Sequence, residues 1–329
     1  MSGPTGAKVN SLVLKGLRIV WPRLVAMRLD LLTVVEGRDL LVAFVLEDAG
    51  PRVRGMRHLG YRPACVSISQ TRKHLLVAND HGNWYEVLNA RTLEPVFTQA
   101  GSDAFPCTFA TLSGDDVLVS ARPGSLEFSQ VPSGNTIMRI PCDKPRAFIA
   151  TQTVELAAGE AVGVVGHTFL DSRMGPLVFR MGAFLEGENE LLLGIKRLSD
   201  LGHNHVAIGP CGWEEVLLYR ETPRLGNRAA EVPGFSVHKL PTEDTETSAG
   251  PVLEFVAHPK PLAADARIMA TSLAIAAASE RGLELVPRAG LAAPASFLPG
   301  RAFGFDAEAG RIVLVTPDGG IDVVELPRV

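Results

Sequence analysis

Prolines recur along this chain at intervals of about forty residues, each just ahead of a short apolar run. Pro22 precedes Leu24-Val25-Ala26-Met27, Pro63 precedes Cys65-Val66-Ser67-Ile68, and Pro106 precedes Cys107-Thr108-Phe109-Ala110. Pro145 stands before Ala147-Phe148-Ile149-Ala150, Pro261 before Arg267-Ile268-Met269, and Pro299 before Ala302-Phe303-Gly304-Phe305. The first four are 41, 43 and 39 residues apart, and the last two 38. A proline has no N–H to give to a sheet, so it marks the start of a strand rather than its interior. A fixed period of this length demands a repeating architecture. The 116 residues from Pro145 to Pro261 are too many for two ordinary units and fit two enlarged ones. Midway, Gly202-His203-Asn204-His205-Val206-Ala207-Ile208 supplies a seventh start.

Each unit reads as four short strands separated by turn residues. In the second unit they are 65–69, 74–78, 84–88 and 95–98, with a tight turn at Asn79-Asp80-His81-Gly82-Asn83. The third repeats the order at 107–112, 116–120, 125–128 and 136–140. Four antiparallel strands in about forty residues make one blade of a β-propeller. The expected fold is therefore all-β: one domain over residues 1–329, with seven four-stranded blades. The irregular middle also admits six or eight.

The last unit offers strands at 302–306, 311–315 and 321–326 and stops one strand short. A spare strand precedes Pro22, at Ser11-Leu12-Val13-Leu14 or at Leu17-Arg18-Ile19-Val20. Pairing it with the last unit would remove two open sheet edges, which are aggregation hazards. Thr222 to Gly250 is polar, is broken by Pro223, Pro233 and Pro241, and carries the acidic run Thr242 to Thr247. It reads as a surface insertion.

The stretch from His74 through Asp80-His81-Gly82-Asn83 and Trp84-Tyr85 to Pro95-Val96 resembles a WD40 repeat. It has the apolar second strand, the Asp-x-Gly hairpin, the third strand and the turn into the fourth. Thr316-Pro317-Asp318-Gly319-Gly320-Ile321 looks like the same hairpin, and Gly202-His203 like the dipeptide ahead of a first strand. Leu88-Asn89 stands where the Trp-Asp ending would fall. The resemblance implies a rigid disc whose loops dock protein partners, with the usual Asp–His–Ser/Thr–Trp network mostly missing.

The residues favour no other class. Hydrophobic residues are 46% and charged residues 21% of 329, an ordinary globular balance. The net charge is -4 and the basic residues are scattered, so nucleic acid is not an expected partner. No apolar run approaches the roughly 20 residues that span a bilayer. The first fifteen residues lack a secretory core, so a cytoplasmic location is expected. Heavy use of Ala, Arg, Gly and Leu points to a GC-rich bacterial source. Cys65, Cys107, Cys142 and Cys211 lie far apart and read as reduced thiols.

No P-loop, GxSxG, HExxH or well-placed GxGxxG occurs. His203 and His205, two apart on a strand, are the best metal candidates, with Cys211 and His167 as further ligands that could come near, and no cofactor is expected. Arg23, Arg62, Arg146 and Arg301 recur near first strands, where a channel mouth lined by arginines would suit an acidic peptide, a phosphate or a carboxylate. Trp84, Tyr85 and Trp213 are candidate partner anchors. The expected function is a non-catalytic scaffold that docks a protein on one face. The alternatives are an enzyme or anion binder using the central channel, and a subunit of a larger assembly in which the 222–250 segment orders on binding.

Overall fold

The computed structural model describes residues 11–13, 22–47, 50–79, 84–100, 107–112, 115–122, 125–141, 148–155, 161–167, 177–186, 190–200, 205–211, 215–220, 232–239, 252–258, 260–263, 266–288, 295–306, 310–318 and 320–326. Among these residues, 28 strands form seven four-stranded sheets. After β1 (Ser11–Val13), sheet 1 holds β2 (Pro22–Arg28), β3 (Leu31–Glu36), β4 (Leu40–Glu47) and β5 (Gly50–His58). Sheet 2 holds β6 (Pro63–Ile68), β7 (His74–Asn79), β8 (Trp84–Asn89) and β9 (Pro95–Ala100). Sheet 3 holds β10 (Cys107–Leu112), β11 (Asp115–Arg122), β12 (Ser125–Gln130) and β13 (Thr136–Pro141). Sheet 4 holds β14 (Phe148–Glu155), β15 (Ala161–His167), β16 (Leu177–Glu186) and β17 (Glu190–Asp200). Sheet 5 holds β18 (His205–Pro210), β19 (Glu215–Arg220), β20 (Gly234–Lys239) and β21 (Val252–Ala257). Sheet 6 holds β22 (Arg267–Ala270), β23 (Ala274–Ser279), β24 (Gly282–Pro287) and β25 (Ser296–Pro299). Sheet 7 holds β26 (Arg301–Asp306), β27 (Arg311–Val315) and β28 (Ile321–Glu325), with β1 as its fourth strand.

Of the periodic prolines that are described, Pro22 and Pro63 are the first residues of β2 and β6. Pro299 ends β25 two residues ahead of β26, and Pro261 lies six residues ahead of β22. The wide central interval is filled by the long hairpin of β16 and β17, of 10 and 11 residues, and by the widely spaced strands of sheet 5. The supposed insertion at 222–250 needs correcting, because it contributes the strand β20, which is buried along Gly234–His238. Its hydrophobic face, Phe235 and Val237, packs between sheets 5 and 6. Ser236 and His238 fill the other face and satisfy each other at 2.9 Å, so a polar pair sits inside a core strand.

Middle strands have unbroken apolar runs because both of their faces are covered. Leu41 to Val45 in β4 and Leu75 to Ala78 in β7 are buried without interruption. Alternate residues serve different neighbours. Leu75 and Val77 pack toward sheet 1 with Leu31, Val35 and Leu41, while Leu76 packs toward sheet 3 with Tyr85, Phe109 and Leu118. Each such leucine contributes roughly 1.5–3 kcal/mol by leaving water. The first strands of successive sheets touch: β2 with β6, β6 with β10, β10 with β14, β14 with β18, and β18 with β22. The strands β23 and β24 touch β26, and β26 touches β2.

Antiparallel order divides the turns between two ends of each sheet. Turns joining strands one to two and three to four share the lower end. Turns joining two to three, and the links between sheets, share the upper end.

Candidate functional site

The lower end of sheet 2 gathers polar side chains from two turns. After β6 the chain reverses through Ser69 to Lys73. Ser69 N–H donates to the His74 carbonyl at 2.9 Å, and the His74 N–H donates to Ser69 Oγ at 3.1 Å. Arg72 sits at φ +62°, an uncommon conformation for a residue with a Cβ. Its guanidinium donates to Asp30 Oδ1 at 2.8 Å, in the first turn of sheet 1. After β8, Asn89 Oδ1 accepts from the N–H groups of Arg91 and Thr92 at 2.9 and 3.1 Å. Such a side-chain turn holds Arg91 at the tip. Ala90 N–H donates to the Lys73 carbonyl at 2.9 Å, tying the two turns together.

Sheet 3 supplies the anchor behind them. Asp116, in β11, has its side chain fully enclosed. Its carboxylate accepts the Thr71 hydroxyl at 2.6 Å and bonds His74 Nδ1 at 2.6 Å. Burial pulls the Asp116 carboxyl upward, but hydrogen bonds from His74, Thr71 and Ser69 outweigh it and hold the group below the usual carboxylate range. An ionised carboxylate only accepts, so the proton of that bond is placed on His74 Nδ1. His74 Nε2 is left as the other functional atom of the ring. This polar set links sheet 2 to sheet 3, whereas Arg72 links it to sheet 1.

The outcome is a cavity of about 380 Å³ lined by Thr71, Arg72, Lys73, His74, Asn89 and Arg91. Lys73 and Arg91 are exposed and have no ion pair among the described residues. With Arg72 compensated by Asp30, the lining keeps two uncompensated positive charges.

The residues singled out from sequence lie elsewhere. Arg62 is exposed just before β6, at the upper end. Arg301 opens β26, is exposed, and donates to Glu280 at 3.1 Å. Arg23 belongs to β2, and its side chain, like Arg146, lies outside the described residues. Tyr85 is 3% exposed and packs between sheets 2 and 3, its hydroxyl hydrogen-bonded to Gln99. Trp84 is half-buried, edge-on to Tyr61 with ring centroids 4.1 Å apart. Trp213 and His203 lie outside the described residues, as does the side chain of His205, the first residue of β18. Among the described residues no three His, Cys, Asp or Glu side chains gather to hold a metal. No helix among them is long and apolar enough to cross a membrane.

Sequence reading missed the cavity because its members look like ordinary solvated turn residues. The available signal was Lys73 and Arg91 on two turns of one unit that must share an end.

No family model and no curated protein matches the chain. Solved structures do. The WD40 β-propeller domain of Doa1 is similar with a TM-score of 0.57 at 11% identity, over 97% of this chain and 98% of that one. The computationally designed Ika8 protein gives 0.56 at 11% identity, over 95% and 98%. Hydrazine synthase from Kuenenia stuttgartiensis gives 0.57 at 10% identity, over 99% of each chain. Identities this low speak to the fold and not to activity. With the sheets, their order and these likenesses together, the chain has a β-propeller fold similar to that of the WD40 domain of Doa1.

Proposed function

We propose that the seven sheets are the blades of one closed ring, and that the ring is a non-catalytic platform docking an acidic segment of a protein partner at its lower face. The cavity between Lys73, His74 and Arg91 carries this reading, because it presents net positive charge on turns stapled to both neighbouring sheets. A rigid, preorganised site loses little entropy on binding. Three observations support the ring. First strands touch in sequence, and β26 meets β2. The strand β1 pairs with β28, Ser11 opposite Val324 and Val13 opposite Asp322. Desolvation pushes the Cys65 thiol upward while Arg267, on the first strand of sheet 6, pulls it down, which supports an arrangement that brings the first strands of sheets 2 and 6 within electrostatic reach. Cys65, Cys107 and Cys211 are free thiols, which suits the reducing cytoplasm we assign to the protein.

Closure is tested by deleting residues 1–13. The loss reopens β28, where Val323 and Val324 are each 2% exposed. Melting is expected to fall by roughly 5 °C or more, the shift that ~2 kcal/mol produces in a large domain. Aggregation should begin earlier on heating. Unchanged melting of the truncated chain would count against the ring.

Docking is tested by affinity purification from the native cell. Proteins recovered with the wild-type chain should be lost from the Lys73→Glu/Arg91→Glu variant and kept by Arg62→Glu/Arg301→Glu. Equal recovery by both variants would move the docking site off the lower face.

A further inference from the structure

We infer that the lower cavity is a phosphate-monoester site, so that the partner segment it takes carries a phosphorylated side chain. This rests on the docking reading above and adds the chemistry of the recognised group.

Charge is the first argument. Lys73 and Arg91 leave two positive charges uncompensated, with Arg72 already matched by Asp30 at 2.8 Å. A phosphate monoester brings about −1.5 to −2 at neutral pH, whereas a glutamate or aspartate side chain brings one charge. With His74 protonated, Asp116 is matched too, and the dianion neutralises the site where a carboxylate leaves half of it unmatched. With His74 neutral, Asp116 adds one negative charge and a single negative charge balances the site.

His74 supplies the second argument. Asp116 holds Nδ1 at 2.6 Å, which fixes the ring plane and leaves Nε2 for the cavity. In the neutral ring Nε2 offers a lone pair. An ionised carboxylate has no proton to give it, and the two would repel. A phosphate monoester loses its second proton near pH 6, so part of its population still carries a P–OH that can donate. In the protonated ring Nε2 donates instead, and a phosphoryl oxygen accepts. Phosphate therefore satisfies His74 in either form, and a carboxylate in only one. Asn89 adds a neutral donor: its Oδ1 is engaged by two backbone N–H groups, so its amide NH₂ is the end left for a ligand.

Size is the third. A cavity of about 380 Å³ lies at the small end of ligand sites, suited to a side-chain head group rather than a cofactor.

The experiment is calorimetry on the full chain at fixed ionic strength. The probes are a Gly-Gly-phosphoserine-Gly-Gly peptide, its glutamate counterpart, and inorganic phosphate. The phosphopeptide should bind about tenfold or more tighter than the glutamate peptide, in line with added charge-assisted hydrogen bonds. Arg91→Gln and Lys73→Gln, both at exposed positions, should each weaken it by about tenfold with melting unchanged. His74→Gln should shrink the preference for phosphate over glutamate to within about threefold. Equal binding of the two peptides, both weakened by Arg91→Gln, would overturn the phosphate inference and leave the docking reading standing. Tighter binding of inorganic phosphate than of the phosphopeptide would assign the site to the free ion and overturn it as well. Failure of all probes, with partner recovery indifferent to the double charge reversal, would sink both.

Discussion

Gly209→Ala is expected to destabilise the protein by at least about 3 kcal/mol, the upper range for forcing atoms into a filled core. A Cβ at this position would collide with the Ile268 carbonyl oxygen and stand 2.6 Å from its carbon. Those atoms belong to the backbone of β22, which is held by pairing of Ile268 with Ala277. Ile268 is itself 1% exposed within the cluster joining sheets 5 and 6. Neither sheet can yield without opening that cluster. Gly37→Ala is the control. Gly37 sits at φ +59° with nothing within 4 Å of the place a methyl would take, so only backbone strain of about 1 kcal/mol applies. Urea denaturation followed by circular dichroism separates the two. A Gly209→Ala loss no larger than that of Gly37→Ala would mean that β18 and β22 do not approach this closely.

The second large effect belongs to Asp116. Replacing it by alanine strips Thr71 and His74 of their common acceptor and cuts a link between sheets 2 and 3. Removing a buried ionised acceptor that two donors share points to a loss of about 3 kcal/mol. Asp116→Asn keeps an acceptor for Thr71 and should lose about half as much. The wild-type carboxyl is held below its ordinary value when folded, so the unfolded chain binds more protons as the medium turns acid. The Asp116 contribution is therefore complete above an unfolded carboxyl value of about 4 and disappears as pH falls through the lower folded value. Stability measured against pH should fall less steeply on the acid side for Asp116→Ala than for wild type. Superimposable acid limbs would show that Asp116 is not held in this way.

Much of the fold was legible because its signals are local. Proline cannot complete a sheet ladder, and an apolar run bounded by turns must be a covered strand. Those two facts located all seven first strands, β2, β6, β10, β14, β18, β22 and β26, and the strand order within units two and three. The count of strands in the last unit called for a partner from ahead of Pro22, with 11–14 and 17–20 both open, and the structure pairs 11–13. The strand β20 was not legible. Pro233 and long polar flanks surround it, and Ser236 with His238 spoils the apolar pattern. Only the packed structure makes a core strand of it, with sheet 6 against its apolar face and Ser236 and His238 bonded to each other on the other.

The candidate site shows where the boundary falls. The sequence by itself determined that forty-residue units of four antiparallel strands repeat, because hydrogen-bond capacity and side-chain alternation act over a few residues. Only the tertiary structure decided that Lys73, His74 and Arg91 line one cavity, and that Asp116, 42 residues beyond His74, stands behind it. Antiparallel turns bring the first set to one end of a sheet, and the stacking of sheet 3 against sheet 2 delivers the carboxylate. Charge and hydrogen bonding depend on distance through space, and for these groups that distance is set by how the sheets stack.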